Sequence, residues 1–345
     1  MKQTILYAYL ALLVAVGLPF LANLGGGDAA AGAREINPTP SAAADEASPP
    51  SAPPVSPAAA AETLPAAPTE LYVLMKDGSI AVMDMQDYLR GVVAAEMPAD
   101  FHPEALKAQA VAARSYALYC ASFSKHGEAQ VCTDYACCQA WQSEERRREK
   151  WGENFDANDA KISAAVGSTN GEYLAAGGRP AFAAFHSSSA GATENSADVW
   201  SAVPYLVSVP SPETEEDVPN YVSTVRCSPI DFRDTVLSAH PEADFSGPEE
   251  AWVGELRRDA SGRVASALLG GAEVDGKELR SLFSLRSTAF ELDYASGSFV
   301  FTVTGFGHGV GMSQYGADKM ERLGADYREI LAHYYPGTLL VGGTT

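Results

Sequence analysis

The period of apolar and polar positions changes several times along the chain, and each change marks an element. Leu71 to Met83 alternates around Lys76-Asp77-Gly78-Ser79. This predicts a hairpin, since Asp-Gly between apolar runs supplies a tight turn. From Asp84 the period lengthens to that of a helix. Tyr88, Leu89, Val92 and Glu96 share one face of it, Asp84 suits its N-cap, and Pro98 ends it. A second helix opens at His102-Pro103 and runs to about Ala121, with proline at its first position. Its many alanines, among them Ala105, Ala108 and Ala112, predict close packing against neighbours. A charged helix is expected over Glu144–Trp151, followed by short strands over 173–176, 182–186 and 205–209 and an acidic loop over 212–217. Residues 229–290 carry a further small set of elements, with a turn at Asp275-Gly276 and a helix over 277–283. Residues 299–304 alternate like a half-buried strand. The glycine-rich loop 305–311 then leads into helices over 313–323 and 326–333. Helices gather at both ends with strands between, without regular βαβ alternation. The expected class is α+β: one domain of helices and short strands over 69–345, with a smaller inserted subdomain.

The first 68 residues follow a different pattern. Ile5 to Leu24 is uncharged, and at about 1.5 Å per residue it is long enough to cross a bilayer core. Lys2 precedes it and acidic sequence follows, so the N-terminus is expected to stay in the cytoplasm with the remainder exported. Residues 1–24 therefore read as a membrane anchor; a cleaved signal peptide is the alternative. Residues 25–68 hold nine of the 21 prolines, with alanine and serine filling much of the rest. They have no hydrophobic period and read as a linker. The formal net charge of −20 argues against a nucleic-acid partner, which would need a basic surface.

Three segments carry candidate chemistry. Glu96 projects from an apolar face in the last turn before Pro98, where desolvation and the negative end of the helix both raise its pKa. A carboxyl that stays protonated near neutrality is the acid that glycosidic cleavage needs, while a glutamate with its head in water is the plain alternative. Phe185 to Asn195 crowds short hydroxyl and amide side chains, suited to sugar hydroxyls or an acetamido group. Glu194 and Asp198 could supply a second carboxylate. On the third segment, Gly305 to Gln314, alternating glycines allow a ligand to approach the backbone closely beside His308. Three of the five cysteines fall within seven residues, and His126-x5-Cys132-x4-Cys137-Cys138 offers ligands for tetrahedral zinc. Four protein ligands would make such a site structural; a Cys132–Cys138 disulfide is the alternative. Cys120 and Cys227 read as ordinary thiols.

These segments resemble the stage II sporulation protein D family, lytic transglycosylases of endospore-forming bacteria. The resemblance spans roughly residues 70–340. It is carried by Asp87-Tyr88-Leu89-Arg90-Gly91-Val92-Val93-Ala94-Ala95-Glu96-Met97-Pro98 and its continuation to Tyr116, by Thr193-Glu194-Asn195, and by Gly307 to Ala317. It implies that Glu96 is the catalytic acid/base. Arg114, Tyr116, Ser187, Ser188, Thr193, Glu194, His308 and Gln314 become candidates for positioning glycan. The family's zinc loop has a His-x5-Cys-x4-His-Cys pattern, and Cys137 stands here at its second histidine. The resemblance further implies an anchored assembly with a cell-wall amidase and a second membrane protein during engulfment, on the septal, forespore-facing side of the mother cell. A hydrolytic muramidase, or a non-catalytic module that stimulates an amidase, are the other functional readings.

Overall fold

The computed structural model describes residues 67–342 apart from Ser124. The expected anchor, and all but the last two residues of the expected linker, lie outside the described residues. Among those described, no helix is long and apolar enough to cross a membrane. The architecture is mixed α and β, as expected.

Strands β1 (Glu70–Leu74) and β2 (Ile80–Asp84) form the foreseen antiparallel hairpin, pairing Glu70 with Asp84 and Leu74 with Ile80. Its turn closes through Asp77, whose Oδ1 accepts from Ser79 N–H at 2.9 Å. Gly78 sits at φ +85°, a conformation glycine adopts without Cβ strain. Helix α1 (Met85–Glu96) follows directly, its first turn capped by the Asp84 carboxylate on Gln86 N–H at 2.8 Å. Helix α2 (Pro103–Ala121) is capped by a group far away in sequence. Glu321 accepts from the N–H groups of Glu104 at 2.7 Å and Ala105 at 3.0 Å. The alanines of α2 from Ala105 to Ala117 are fully buried, as close packing requires. Strand β3 (Val131–Cys132) joins the hairpin in parallel, pairing Val73 with Val131.

Helix α3 (Glu144–Trp151) lies where the charge pattern placed it. Helix α4 (Phe155–Ser168) was not foreseen, because only Phe155, Ile162, Ala165 and Val166 are buried along it, too sparse a stripe to stand out. Strand β4 (Tyr173–Ala176) pairs with β5 (Arg179–Pro180) and with the late strand β14 (Leu339–Val341). The strand expected over 182–186 shrinks to β6 (Phe185–His186), and 205–209 is not a strand. That second segment is extended but tied down singly, through Thr193 N–H to Val209 O at 2.9 Å and Ser196 N–H to Leu206 O at 2.9 Å. The short helix α5 (Ser196–Val199) lies between these bonds.

A second core builds up between Val225 and Val303. It contains β7 (Val222–Cys227), α6 (Pro229–Ala239), β8 (Val253–Arg258), β9 (Val264–Leu269), β10 (Ala272–Asp275), α7 (Gly276–Leu282), β11 (Phe290–Ala295) and β12 (Ser298–Thr304). Its sheets run β10-β9-β8 and β11-β12-β7. Asp275-Gly276 is no hairpin turn: Asp275 ends β10 and caps α7 through Lys277 N–H at 2.8 Å. The chain enters and leaves this lobe at one place, where Gly305 N–H donates to Tyr221 O at 2.8 Å. Beyond it, β13 (Met312–Ser313) pairs in parallel with β6, and α8 (Gln314–Arg322) and α9 (Tyr327–Tyr334) return to the first core.

Phe232 is the hub of the second core, stacked on Phe299 at 3.9 Å and on Phe283 at 5.3 Å between ring centroids. Phe232→Ala is expected to destabilise the protein by about 3–5 kcal/mol, read as a drop in the urea midpoint.

Candidate active site and metal centre

Tyr88, Leu89 and Val92 are fully buried, so the face of α1 that carries Glu96 is pressed into the first core. Glu96, the last residue of α1, is 0% exposed. Ala140 N–H donates to its Oε1 at 2.7 Å, while Oε2 has no hydrogen-bond partner among the described residues. Burial raises the carboxyl from 4.5 to about 8, and the single Ala140 bond opposes only part of that rise. Desolvation, one of the two causes expected from the sequence, therefore dominates. At the same helix end the Lys150 ammonium donates to Ala94 O at 3.0 Å, giving that terminus a cation.

Next to this acid the chain folds four ligand-type side chains together. One donor atom each from His126, Cys132, Cys137 and Cys138 lies within 4.8 Å of the others. His126 Nε2 is 3.2 Å from Cys138 Sγ and 3.7 Å from Cys137 Sγ. Ligands at about 2.0–2.3 Å from a tetrahedral ion lie roughly 3.5–3.8 Å apart, so the set fits a metal of that geometry. Local structure brings them there: β3 fixes Cys132 against β1, and Asp134 O accepts from Cys137 N–H at 3.1 Å and Cys138 N–H at 2.8 Å. Cys120 is less ordinary than its sequence position suggested. Its thiol abuts Cys138, and that contact is the leading cause of its lowered pKa.

A separate polar group forms where the two expected loops meet. The β6–β13 pairing and the bridges Ser188–Phe306 and Glu194–Val310 hold 185–195 against 305–314. Gly307 has φ +112° and packs so tightly on His186 that a Cβ there would stand 2.8 Å from the His186 Cβ. His186 and His308 have ring centroids 5.7 Å apart, and Trp200 lies 4.8 Å from His308. Burial pushes His308 down to about 3 and His186 well below its usual range, so both rings stay neutral at pH 7. His308 Nδ1 accepts from Val310 N–H at 3.0 Å. His308 Nε2, Ser187 Oγ, Ser188 Oγ and Gln314 Nε2 are buried without a hydrogen-bond partner among the described residues.

Four other candidates serve the scaffold. Arg114 is 0% exposed and donates through Nη1 to Thr169 O and Glu172 O, both at 2.8 Å, so it braces the turn before β4, while its Nε and Nη2 have no hydrogen-bond partner among the described residues. Tyr116 is buried against Phe182, its hydroxyl 3.5 Å from Cys137 O. Thr193 Oγ1 accepts from Val209 N–H at 2.9 Å, which substitutes for a strand ladder. Glu194 joins the lobes: Oε2 accepts from Ser261 Oγ at 2.5 Å and lies 3.6 Å from Arg263 Nε, and burial raises its pKa to about 7. Asp198 accepts from Asn195 Nδ2 at 3.1 Å and helps shape the same loop. No hydrogen bond among the described residues joins Glu96 to the His186–His308 group. The ring contacts Tyr116–Phe182, Phe182–Trp200 and Trp200–His308 run between the Cys137 loop and that group.

A family model described as stage II sporulation protein matches residues 76–175, the stretch holding Glu96 and the four clustered Cys/His side chains. Stage II sporulation protein D of Bacillus amyloliquefaciens is 37% identical, over 75% of this chain and 74% of the relative. Its counterpart in Bacillus subtilis (strain 168) is 36% identical, over 81% and 80%. The chain belongs to the stage II sporulation protein D family. A Bacillus subtilis protein named amidase enhancer is also similar, 28% identical over 73% of this chain and 40% of that protein.

In this family member, several site residues escaped the sequence pattern. Ala140 acts through its backbone, which no side-chain pattern reports. Arg263, 1% exposed, packs its guanidinium against Gly309, a contact between residues distant in sequence that no local pattern reports. Glu213, taken as part of an acidic surface loop, is buried and accepts from Ser189 N–H at 2.6 Å and Ser211 Oγ at 2.6 Å.

The Glu96 shift fixes a stability trend. Its folded-state pKa lies above the unfolded value, so its contribution is intact below about pH 4.5 and is lost as pH rises from about 4.5 to about 8. Glu96→Gln keeps an acceptor for Ala140 and cannot ionise. At pH 8 the variant is expected to be more stable than the parent by about 4 kcal/mol, with the difference shrinking toward pH 4.5. Urea unfolding across this range checks it; parallel curves would exclude a buried, titrating Glu96.

Proposed function

We propose that the chain is a membrane-anchored lytic transglycosylase that cuts the bond between N-acetylmuramic acid and N-acetylglucosamine in peptidoglycan during engulfment. The observation that carries the reading is the carboxyl of Glu96, buried at a helix end and raised to about 8, so that it is protonated at neutral pH. Protonated Glu96 donates to the glycosidic oxygen as the C1–O bond breaks and an oxocarbenium-like centre forms. The carboxylate left behind takes the proton of the muramoyl C6 hydroxyl while that oxygen bonds to C1. The acid is regenerated and a 1,6-anhydro ring closes, with no water and no second carboxylate consumed. Ser187, Ser188, His308 and Gln314 retain polar atoms that suit sugar hydroxyls, which supports them as glycan contacts.

In this reading His126, Cys132, Cys137 and Cys138 hold zinc, which ties the loop after α2 into one shape and takes no part in bond breaking. The N-terminal segment anchors the domain outside the cytoplasm, where a cell-wall amidase and a second membrane protein are its partners. The relative named amidase enhancer favours a second reading, in which the domain binds strands and stimulates an amidase without cutting.

Glu96→Gln is expected to lower release of anhydro-muropeptides from sacculi by about 10³-fold or more while the fold is kept, as judged by mass spectrometry and circular dichroism. In the parent the rate should fall as pH rises through about 8. Normal product release by Glu96→Gln would rule the mechanism out; intact amidase stimulation without any parent cutting would favour the second reading. Purified protein is expected to carry one zinc per chain by elemental analysis, and Cys138→Ser to lose most of it along with several degrees of thermal midpoint. A metal-free parent of unchanged stability would remove zinc from the account.

A further inference from the structure

An acid that protonates a glycosidic oxygen has to touch it, yet Glu96 is 0% exposed. One short segment is bonded to it. Ala140 N–H donates to Glu96 Oε1 at 2.7 Å, and Gln142 N–H donates to Gly91 O at 3.1 Å. Between them the Trp141 indole lies against the bare backbone of Gly91. A Cβ at that position would stand 2.2 Å from Trp141 Nε1 and 2.8 Å from Gln142 O. Gly91 is helical, so close approach, not an unusual backbone angle, is what its missing side chain permits.

The two ends of this segment are firmly held. On one side Cys138 N–H donates to Asp134 O at 2.8 Å, and Gln139 Nε2 donates to Tyr88 Oη and to Ala113 O, both at 3.3 Å. On the other, Arg147 Nη1 donates to Gln142 O at 3.1 Å while its Nε pairs with Asp159 at 2.9 Å. The middle is held by few bonds. Trp141 Nε1 is buried with no hydrogen-bond partner among the described residues, so lifting the indole breaks no bond there. Two firm anchors and a lightly held centre, hydrogen-bonded through Ala140 to the one group that must meet substrate, make a strap.

We propose that residues 140–142 are a gate over Glu96, resting on its identification as the acid. Glycan entry lifts Trp141 off Gly91 and releases the Ala140 N–H from Oε1, and the exposed carboxyl then meets the glycosidic oxygen. Trp141 and Gly91 are positioning residues, acting on the acid through the strap. A gate that rests closed reduces apparent affinity by the fraction of molecules that are open. Loosening it therefore tightens binding, the opposite of what loss of a structural contact does.

The experiment uses full-length protein carrying Glu96→Gln, which binds without turnover, and a MurNAc–GlcNAc tetrasaccharide as probe. Amide hydrogen exchange is followed at Ala140 and Gln142. Both amides are expected to exchange at least about tenfold faster in the saturated complex than in the free protein, because binding holds the gate open. Gly91→Ala and Trp141→Ala, added singly to this background, are each expected to bind the tetrasaccharide about 3- to 10-fold more tightly in calorimetry. The exchange measurement needs neither added substitution, so a variant that fails to fold does not block the test. Unchanged or slower exchange at both amides on binding overturns the gate and leaves the acid assignment untouched. A Glu96→Gln protein that binds no tetrasaccharide at all overturns the glycan reading and the gate with it.

Discussion

A carboxyl group removed from water and given a single N–H in return is the constraint on which the rest of this structure depends. An isolated buried carboxylate is costly, so the group keeps its proton instead. Maintaining that state requires every neighbour to stay close and largely apolar. Tyr88, Leu89 and Val92 lock the face of the first helix so that Glu96 cannot rotate into solvent. The alanines of the second helix remove bulk that would otherwise hold the helices apart. Ala140 supplies one hydrogen bond, enough to orient the carboxyl and too little to ionise it.

The same logic, with the charge reversed, governs the glycine-rich loop. Two imidazoles sit within a buried polar group beside Arg263, and both are held neutral. One ring nitrogen of His308 is used up by Val310, and the other is buried without a hydrogen-bond partner among the described residues. Burial thus sets opposite outcomes for the two classes of group: the acid retains its hydrogen and the bases do without one. Glu96 thus keeps its proton at neutral pH while the two imidazoles of the loops stay uncharged.

Much of this was legible in the chain because it is local. The hairpin around Asp77-Gly78, the Asp84 cap, the Pro103 start and the Cys/His spacing each lie within a dozen residues, and each appears as read. Glu96 was legible for the same reason: its face is defined by Tyr88, Leu89 and Val92 on one helix. What could not be read is what depends on distant partners. Arg114 has the profile of a ligand-binding arginine, and only the fold reveals that Thr169 and Glu172 carbonyls take up its Nη1. Thr193 and Glu194 were picked for their chemistry and turn out to fasten backbone and lobes. Helix α4 was missed because a short helix with four buried positions has little periodic signal. Asp275-Gly276 reads as a turn before a helix and is instead the strand end and helix cap themselves, because Asp275 closes the helix N-terminus directly.

The Tyr221–Gly305 hydrogen bond makes the second lobe a pendant, since its chain departs and returns through adjacent residues. The entropy of closing a long excursion grows only with the logarithm of its length, and here the lobe's own aromatic core meets that cost. Its size is therefore decoupled from the register of β6 against β13 on the other side of the neck. The β8–β9 tip is the exception, since Ser261 and Arg263 reach Glu194 across the neck; at the β11–β12 turn, Ser296-Gly297, residues can be gained or lost without shifting the histidine loops.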